Sequence, residues 1–283
     1  MQQTNEDALV GALYEALPYI NRFAGKTVVV KLGGSAFGGR DTTLQDVVTL
    51  KSLGVKPVLV HGGGNEISDL LKRLGHEAKF VGGLRVTDEE TLACVLMVLG
   101  GKVNKEIVAA LNALGAPAVG LSGIDGALLE GRIKDPALGL VGEVTKVNLP
   151  VLEMVVNAGF IPVIAPLALG EGRQLLNVNG DTAAGEIAAA LRAAKIIFLT
   201  DVEGIRNPDG SVISELTRQS VHNLIETGVV SGGMIPKVLA CVRALEGAER
   251  AHIIDGRVPH ALVRELYTDK GVGTMITTTS SRA

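Results

Sequence analysis

No cysteine cluster, no basic excess and no long apolar run occurs in this sequence, and each absence removes a class of function. The two cysteines, Cys94 and Cys241, sit in apolar helical stretches with no second Cys or His at ligand spacing. They read as reduced, buried fillers rather than a metal or redox pair. The net charge is −3, with 27 Lys and Arg against 30 Asp and Glu. A nucleic-acid or polybasic membrane binder would carry a basic excess. An anionic small substrate remains open, provided that cations gather locally. The longest apolar run, Ala158 to Gly170, is broken by Pro162 and Pro166. It falls short of the roughly 18 apolar residues of a membrane helix. The opening MQQTNEDALV lacks the basic and apolar regions of a signal peptide. A cytoplasmic protein is the expectation.

The common nucleotide fingerprints are missing too. No G-x-x-x-x-G-K-[ST] occurs, so a P-loop is excluded. No G-x-G-x-x-G and no G-x-S-x-G occur, which disfavours a Rossmann dehydrogenase and an α/β-hydrolase.

What is present points to an α/β protein. A length of 283 residues suits one large domain or two lobes at about 100–200 residues each. Thr27–Leu32, Lys56–Val60, Ala116–Leu121, 160–165, Leu175–Val178, Lys195–Thr200 and 251–255 read as strands. Helices are expected at 6–23, 41–53, from Gly64 to Leu74, at 150–158, 181–193, 219–227, 234–246 and 259–266. In the first, Leu9, Leu13, Leu17 and Ile20 recur at helical spacing, and Pro18 should kink or end it. Asp41 or Thr42 is the candidate N-cap of the second. Residues 77–87 look like a hairpin turning at Gly82-Gly83. Thr87-Asp88-Glu89-Glu90 resembles a capping box that opens a long helix. Residues 126–147 alternate and turn often, so exposed hairpins are expected there. Continuous apolar strands alternating with helices indicate a mostly parallel sheet covered on both faces, a three-layer αβα sandwich. A boundary near 170–180 would divide two lobes.

Two strands end in glycines and feed helices: Lys31-Leu32-Gly33-Gly34, and His61 with Gly62, Gly63 and Gly64. Ligands of open α/β sheets bind at the carboxyl ends of strands. Helix N-termini there attract anions, and glycine lets the backbone approach a phosphate. Each loop could also be no more than a tight turn; two together, with Lys31 before the first, favour a phosphoryl site.

The segments KLGGS (31–35), VHGGG (60–64), GLRVTD (83–88), NVNGDTAAGEIA (177–188), LTDVEGI (199–205) and GGMIPKV (232–238) occur in this order. Together they resemble the amino-acid kinase family, and within it the N-acetylglutamate kinases, from EALPY (15–19) to GVGTMI (271–276). The resemblance implies that ATP, with Mg²⁺ carried on the nucleotide rather than held by a dedicated protein site, phosphorylates the γ-carboxylate of N-acetyl-L-glutamate in arginine biosynthesis. It also implies a substrate lobe over 25–175 and a nucleotide lobe over 176–283.

By the same resemblance, Lys31 and Lys237 stabilise the transition state, Lys31 on the transferring phosphoryl and Lys237 on the nucleotide side, and Asp181 holds the two lysines. Asp181 could instead, or in addition, be a helix N-cap. Arg85 would bind the substrate's α-carboxylate; without the motif it would be a surface arginine. Asn177, with Asn179 beside it, would hydrogen-bond the substrate. Gly63 and Gly64 would offer it backbone N–H groups, and Gly33 and Gly34 would offer theirs to the phosphoryl. Asp201, Gly204, Gly232 and Gly233 resemble the nucleotide-binding part. His61 reads as a hydrogen-bonded structural histidine rather than a base.

An N-terminal helix over 1–24 resembles that of the hexameric, arginine-inhibited branch, a trimer of dimers. Tyr19, Lys195, Glu265 and Gly271 would then lie near bound L-arginine. Some hexamers of that branch bind the PII nitrogen-signalling protein, a partner the sequence leaves open. Asn65 and Gly180 depart from the usual proline and alanine at their positions. The rival readings are a sister kinase for an aminoadipate derivative on a carrier protein, and a non-catalytic sensor on the same fold. Arg85 speaks against the first, and the joint presence of Lys31, Lys237 and Asp181 against the second.

Overall fold

The structure is a computed structural model that describes residues 2–33, 42–268 and 271–279. Helix α1 (Gln2–Phe23) is followed by β1 (Thr27–Leu32), α2 (Thr43–Ser52), β2 (Lys56–His61), α3 (Gly64–Arg73) and the hairpin β3 (Phe80–Val81) and β4 (Leu84–Arg85). A long helical rod then runs through α4 (Glu89–Val95), a π-helical stretch (Leu96–Val103) and α5 (Asn104–Ala113). Next come β5 (Ala118–Ser122), β6 (Leu129–Ile133), β7 (Val141–Val147), α6 (Pro150–Asn157), β8 (Ile161–Ala165), β9 (Leu167–Leu169) and β10 (Leu175–Val178). The last part holds α7 (Gly180–Ala190), β11 (Lys195–Thr200), β12 (Glu215–Thr217), α8 (Arg218–Glu226), α9 (Met234–Ala244), β13 (Ala251–Asp255), α10 (Ala261–Tyr267) and β14 (Thr274–Thr277).

Among the described residues, eight strands form one sheet in the order β12-β14-β13-β11-β1-β2-β8-β5. All its pairings are parallel except β13 with β14. Both faces are covered, as continuous apolar strands require. Val28, Val30 and Leu32 of β1 enter one core, packed beneath α2, α3, the rod and α10. Val29 enters the other, beneath α6, α7, α8 and α9. Side chains alternate along a strand, so Lys31 shares the face of Val29 and points toward α7.

Helix α1 covers the expected 6–23 and runs on past Pro18 rather than ending there, while three other expectations are corrected. One missing N–H is outweighed by the turns on either side, and Phe23 at its end packs edge-on against Tyr267 with ring centroids 6.4 Å apart. The cap of α4 is Asp88, whose carboxylate accepts the Thr91 N–H at 2.8 Å, rather than Thr87. Thr87 is fully buried and turns inward, donating to the Arg85 carbonyl. Thr42 precedes α2 without capping it through its side chain; its hydroxyl instead accepts the His260 N–H at 2.7 Å. Asp41 lies outside the described residues. Finally, the segment at 126–147 is not a set of exposed hairpins. Strands β6 and β7 close with β9 and β10 into a small four-stranded ring, and Leu128, Leu129, Val141 and Val144 are buried.

Candidate active site

The parallel strands β1 and β2 lie side by side at the middle of the sheet and end together at Leu32 and His61. Their carboxyl ends open into a cavity of about 210 Å³. Its wall is made by the loop Gly62–Gly64, by Arg85 on β4, by Asn177 on β10, and by Asn179, Gly180 and Asp181 at the start of α7. Two helix N-termini, of α3 and α7, therefore face the same space, and each offers positive dipole ends and N–H groups to an anion.

Asp181 is the hub. Its Oδ2 accepts from Lys237 Nζ at 2.8 Å. Its Oδ1 lies 3.0 Å from Lys31 Nζ, an ion pair off the hydrogen-bond direction. All three side chains are nearly buried. Burial by itself would raise the Asp181 carboxyl, but Lys31 and Lys237 outweigh it and hold the group below the usual carboxylate range. The carboxylate does not cap its own helix. Asn179 does, accepting the N–H groups of Asp181 and Thr182 at 3.0 and 3.1 Å, and so leaves Asp181 to the lysines. The spacing between Asp181 and Lys237 depends on how closely α7 meets α9. Gly185 permits that approach: a Cβ there would stand 2.7 Å from the Ala240 carbonyl oxygen.

Arg85 is buried under the rim with its guanidinium carbon 4.7 Å above the Phe80 ring. Its Nη2 donates to the Gly64 carbonyl at 2.8 Å and to Ser68 Oγ at 2.9 Å. Its Nη1 is buried without a hydrogen-bond partner among the described residues. A buried cationic donor left unpaired is costly, and an anionic ligand in this cavity would satisfy it. Burial also lowers the Arg85 pKa from its ordinary value, yet a guanidinium stays charged. Asn177 Nδ2 donates to Thr87 Oγ1 at 3.0 Å, which orients its amide. Gly63 must be small, because a Cβ there would meet Leu99 of the π-helical stretch at 2.6 Å.

The structure thus brings Lys31, Gly63, Gly64, Arg85, Asn177, Asn179 and Asp181 to one cavity, with Lys237 joined through Asp181. Gly33 follows β1 directly, while Gly34 lies outside the described residues. Gly232 and Gly233 precede α9 and line a second, more apolar cavity of about 560 Å³, which shares Gly83 and Leu84 with the first. Asp201 and Gly204 line neither. Asp201 is exposed just after β11, and Gly204 is packed against Thr274. Among the described residues, no three His, Cys, Asp or Glu side chains gather as a metal-ligand set. Asn65 is exposed in the first turn of α3, and an alanine methyl at Gly180 would sit about 3.4 Å from Lys31 Cε, close to ordinary contact. Phe80, Ser68 and Leu99 support the site from positions without a motif of their own, and Thr87, expected only as part of a capping box, supports it by orienting Asn177.

The pattern of the "Amino acid kinase family" matches residues 26–255. The chain belongs to the amino acid kinase family. Among similar amino acid kinases is the acetylglutamate kinase of Caldanaerobacter subterraneus subsp. tengcongensis, 53% identical over 273 residues, which cover 93% of this chain and 91% of that protein. A solved N-acetylglutamate synthase from Neisseria gonorrhoeae, complexed with coenzyme A and N-acetyl-glutamate, superposes with a TM-score of 0.85 at 30% identity. It covers 96% of this chain, which spans only 64% of the synthase. The same enzyme complexed with coenzyme A and L-arginine gives a TM-score of 0.82 at 28% identity, over 96% of this chain and 66% of that one.

A further cavity, of about 430 Å³, lies between α1 and the end of the chain. Tyr19, Lys195, Glu265 and Gly271 all line it, with Arg22, Phe23 and Arg250. Glu265 Oε1 accepts from Lys195 Nζ and from His252 Nδ1, each at 2.8 Å. The Val272 N–H reaches Oε2 at 2.9 Å. Burial opposes its charge, but His252 and Lys195 outweigh that and take the Glu265 carboxyl down to about 2. Burial also lowers the His252 pKa, against the hydrogen bond to Glu265, which raises it.

Proposed function

We propose that this chain transfers the γ-phosphoryl group of ATP to the γ-carboxylate of N-acetyl-L-glutamate, giving N-acetyl-L-glutamyl 5-phosphate and ADP for arginine biosynthesis. One observation carries the reading: a single cavity holds Lys31 paired with Asp181, which also holds Lys237, and, across the Gly62–Gly64 loop, a buried arginine whose Nη1 has no hydrogen-bond partner among the described residues. The acetylglutamate kinase relatives, about half identical over nearly the whole chain, support it.

A side-chain carboxylate has a pKa near 4.3 and is already ionised at pH 7, so no general base is required. Its oxygen forms a bond to Pγ while the bond from Pγ to the β,γ-bridging oxygen breaks, and ADP leaves with the electron pair. No proton moves. The demand on the protein is in-line positioning and positive charge around crowded oxygens. Lys31 and Lys237 supply the charge, and Asp181 keeps them from folding onto the phosphates in other arrangements. Arg85 and Asn177 orient the acceptor. Magnesium bound with the nucleotide would neutralise part of the phosphate charge when present. We read residues 25–175 as the acceptor lobe and 176–283 as the nucleotide lobe.

ADP release is the direct assay, run with N-acetylglutamate, glutamate, aspartate, carbamate and UMP as acceptors. N-acetylglutamate should give the highest kcat/KM. An equal or better rate with any other acceptor refutes the substrate assignment.

The cavity around Glu265 supports a second part of the proposal, feedback inhibition by L-arginine in a hexamer built through α1. A guanidinium finds a carboxylate there, and an amino acid's own carboxylate finds Lys195 and Arg250. At a hundredfold excess over Kd, arginine would stabilise the fold by about 2.7 kcal/mol, read as a rise in Tm that Glu265→Gln abolishes. Unchanged Tm and unchanged activity in saturating arginine would sink this part. Deleting residues 1–22 should leave dimers by light scattering.

A further inference from the structure

The floor of the acceptor cavity is backbone, and its shape depends on what holds the Gly62–Gly64 loop. We propose that His61 and Asn104 form a positioning pair that fixes the Gly62–Gly63 peptide, and through it the N–H groups offered to the acceptor. This rests on the acceptor-binding reading given above.

Both side chains are buried, His61 fully and Asn104 to within 1%. His61 Nδ1 lies 2.8 Å from the Gly62 carbonyl oxygen. A carbonyl only accepts, so Nδ1 carries the hydrogen and Nε2 carries the lone pair. The other side of the ring gives the same answer. Asn104 Nδ2 lies 3.2 Å from Nε2, 2.8 Å from the Val163 carbonyl and 3.2 Å from the Leu121 carbonyl. The amide oxygen faces a donor, Lys105 Nζ, at 3.0 Å. Every neighbour of the amide nitrogen accepts and the neighbour of its oxygen donates, so the amide has one orientation. A chain of hydrogen bonds therefore runs from the backbone of β5 and β8, through Asn104 and His61, to the Gly62 carbonyl. The peptide unit is planar, so anchoring that carbonyl sets the opposite direction for the Gly63 N–H.

His61 is not a base in this arrangement. Both ring nitrogens are occupied, and the acceptor carboxylate has no proton to give up. Burial also holds the ring at about 4, which leaves it neutral in the working range. Gly62 itself is tied to the phosphoryl side, because its N–H donates to the Leu32 carbonyl at 3.2 Å. The pair thus aligns the acceptor loop with the strand that carries Lys31.

Two substitutions separate positioning from mere filling of space. In His61→Asn the side-chain amide takes the place of Nδ1–H and can still donate to Gly62. In His61→Gln the amide reaches toward Asn104 and the donor to Gly62 is lost. The pair should split: His61→Asn keeps kcat/KM for N-acetylglutamate within about threefold, and His61→Gln loses about tenfold, the cost of one buried carbonyl left unpaired. The loss should fall on KM for N-acetylglutamate and not on KM for ATP. Equal losses in both variants, or a loss shared with ATP, overturn the proposal. Nitrogen-15 NMR of the unaltered protein settles the tautomer whether or not either variant folds: Nδ1–H is expected, and Nε2–H overturns the proposal. If the unaltered protein shows the Nδ1–H form yet fails to phosphorylate N-acetylglutamate, the functional reading fails while the hydrogen-bond chain stands.

Discussion

Replacing Lys31 by methionine lowers kcat about a thousandfold, because an ammonium about 4 Å from a phosphoryl oxygen contributes about 4 kcal/mol at an effective dielectric of 20. The loss should sit in kcat rather than in KM for the acceptor, since the charge is needed most when the phosphoryl is in flight. Asp181→Asn should act in the same direction through the lysines it aligns. With the carboxylate gone, two buried ammonium groups face each other, and displacements of about 1 Å can cost about a hundredfold. Its acid sensitivity should change as well. The folded Asp181 carboxyl is held below its ordinary value, which is about 3.9 when unfolded. Its contribution to stability is therefore present above that pH and is lost as pH falls through the folded value. Urea unfolding between pH 7 and 3 should show a smaller loss of stability in Asp181→Asn than in the unaltered protein. A steeper loss in the variant contradicts the charge arrangement.

The second large effect belongs to Arg85. Its guanidinium is stacked over Phe80 and fixed through Nη2 by Gly64 and Ser68, and its Nη1, without a partner among the described residues, is preorganised for one carboxylate. Charge-assisted hydrogen bonds contribute about 1.5–3 kcal/mol, so Arg85→Leu should raise KM for N-acetylglutamate about 10- to 100-fold with kcat less affected. Arg85→Lys should not rescue it. An ammonium has neither the planar fork nor the stacking face, and it cannot reach Gly64, Ser68 and a ligand at once. If Arg85→Leu loses only kcat, or if Arg85→Lys behaves like the unaltered protein, the carboxylate assignment fails. Steady-state kinetics with each substrate varied in turn separates these results.

Six of the eight strands of the main sheet were legible in the sequence because they are continuous apolar runs, and the helices beside them carry periodic apolar faces. Lys31 was legible for the same reason: it is the one charge in the run TVVVKL, just ahead of paired glycines. What stayed hidden has a common cause, which is pairing over long sequence separations. Strands β6 and β7 look like exposed hairpins until β9 and β10 close the ring around Leu129 and Val144. Strands β9, β12 and β14 have only three or four residues each, too few for a period to show. The link between His61 and Asn104 spans 43 positions and has no local signature. The helix cap went to Asn179 rather than Asp181, a choice between two neighbouring residue types that both cap well. The lysines on β1 and α9 decide it, and their approach is a property of the packed molecule.

The most direct test of the proposed reaction is the path of one oxygen atom. N-acetyl-L-glutamate labelled with ¹⁸O in its γ-carboxylate would be incubated with the protein and MgATP. The acyl phosphate would then be cleaved with hydroxylamine at the carbonyl carbon. If the carboxylate attacks Pγ, the released phosphate carries one ¹⁸O and the hydroxamate forms in step with ADP. Phosphate without label, released with ADP but without hydroxamate, would mean that water and not the carboxylate is the acceptor, and would contradict the account.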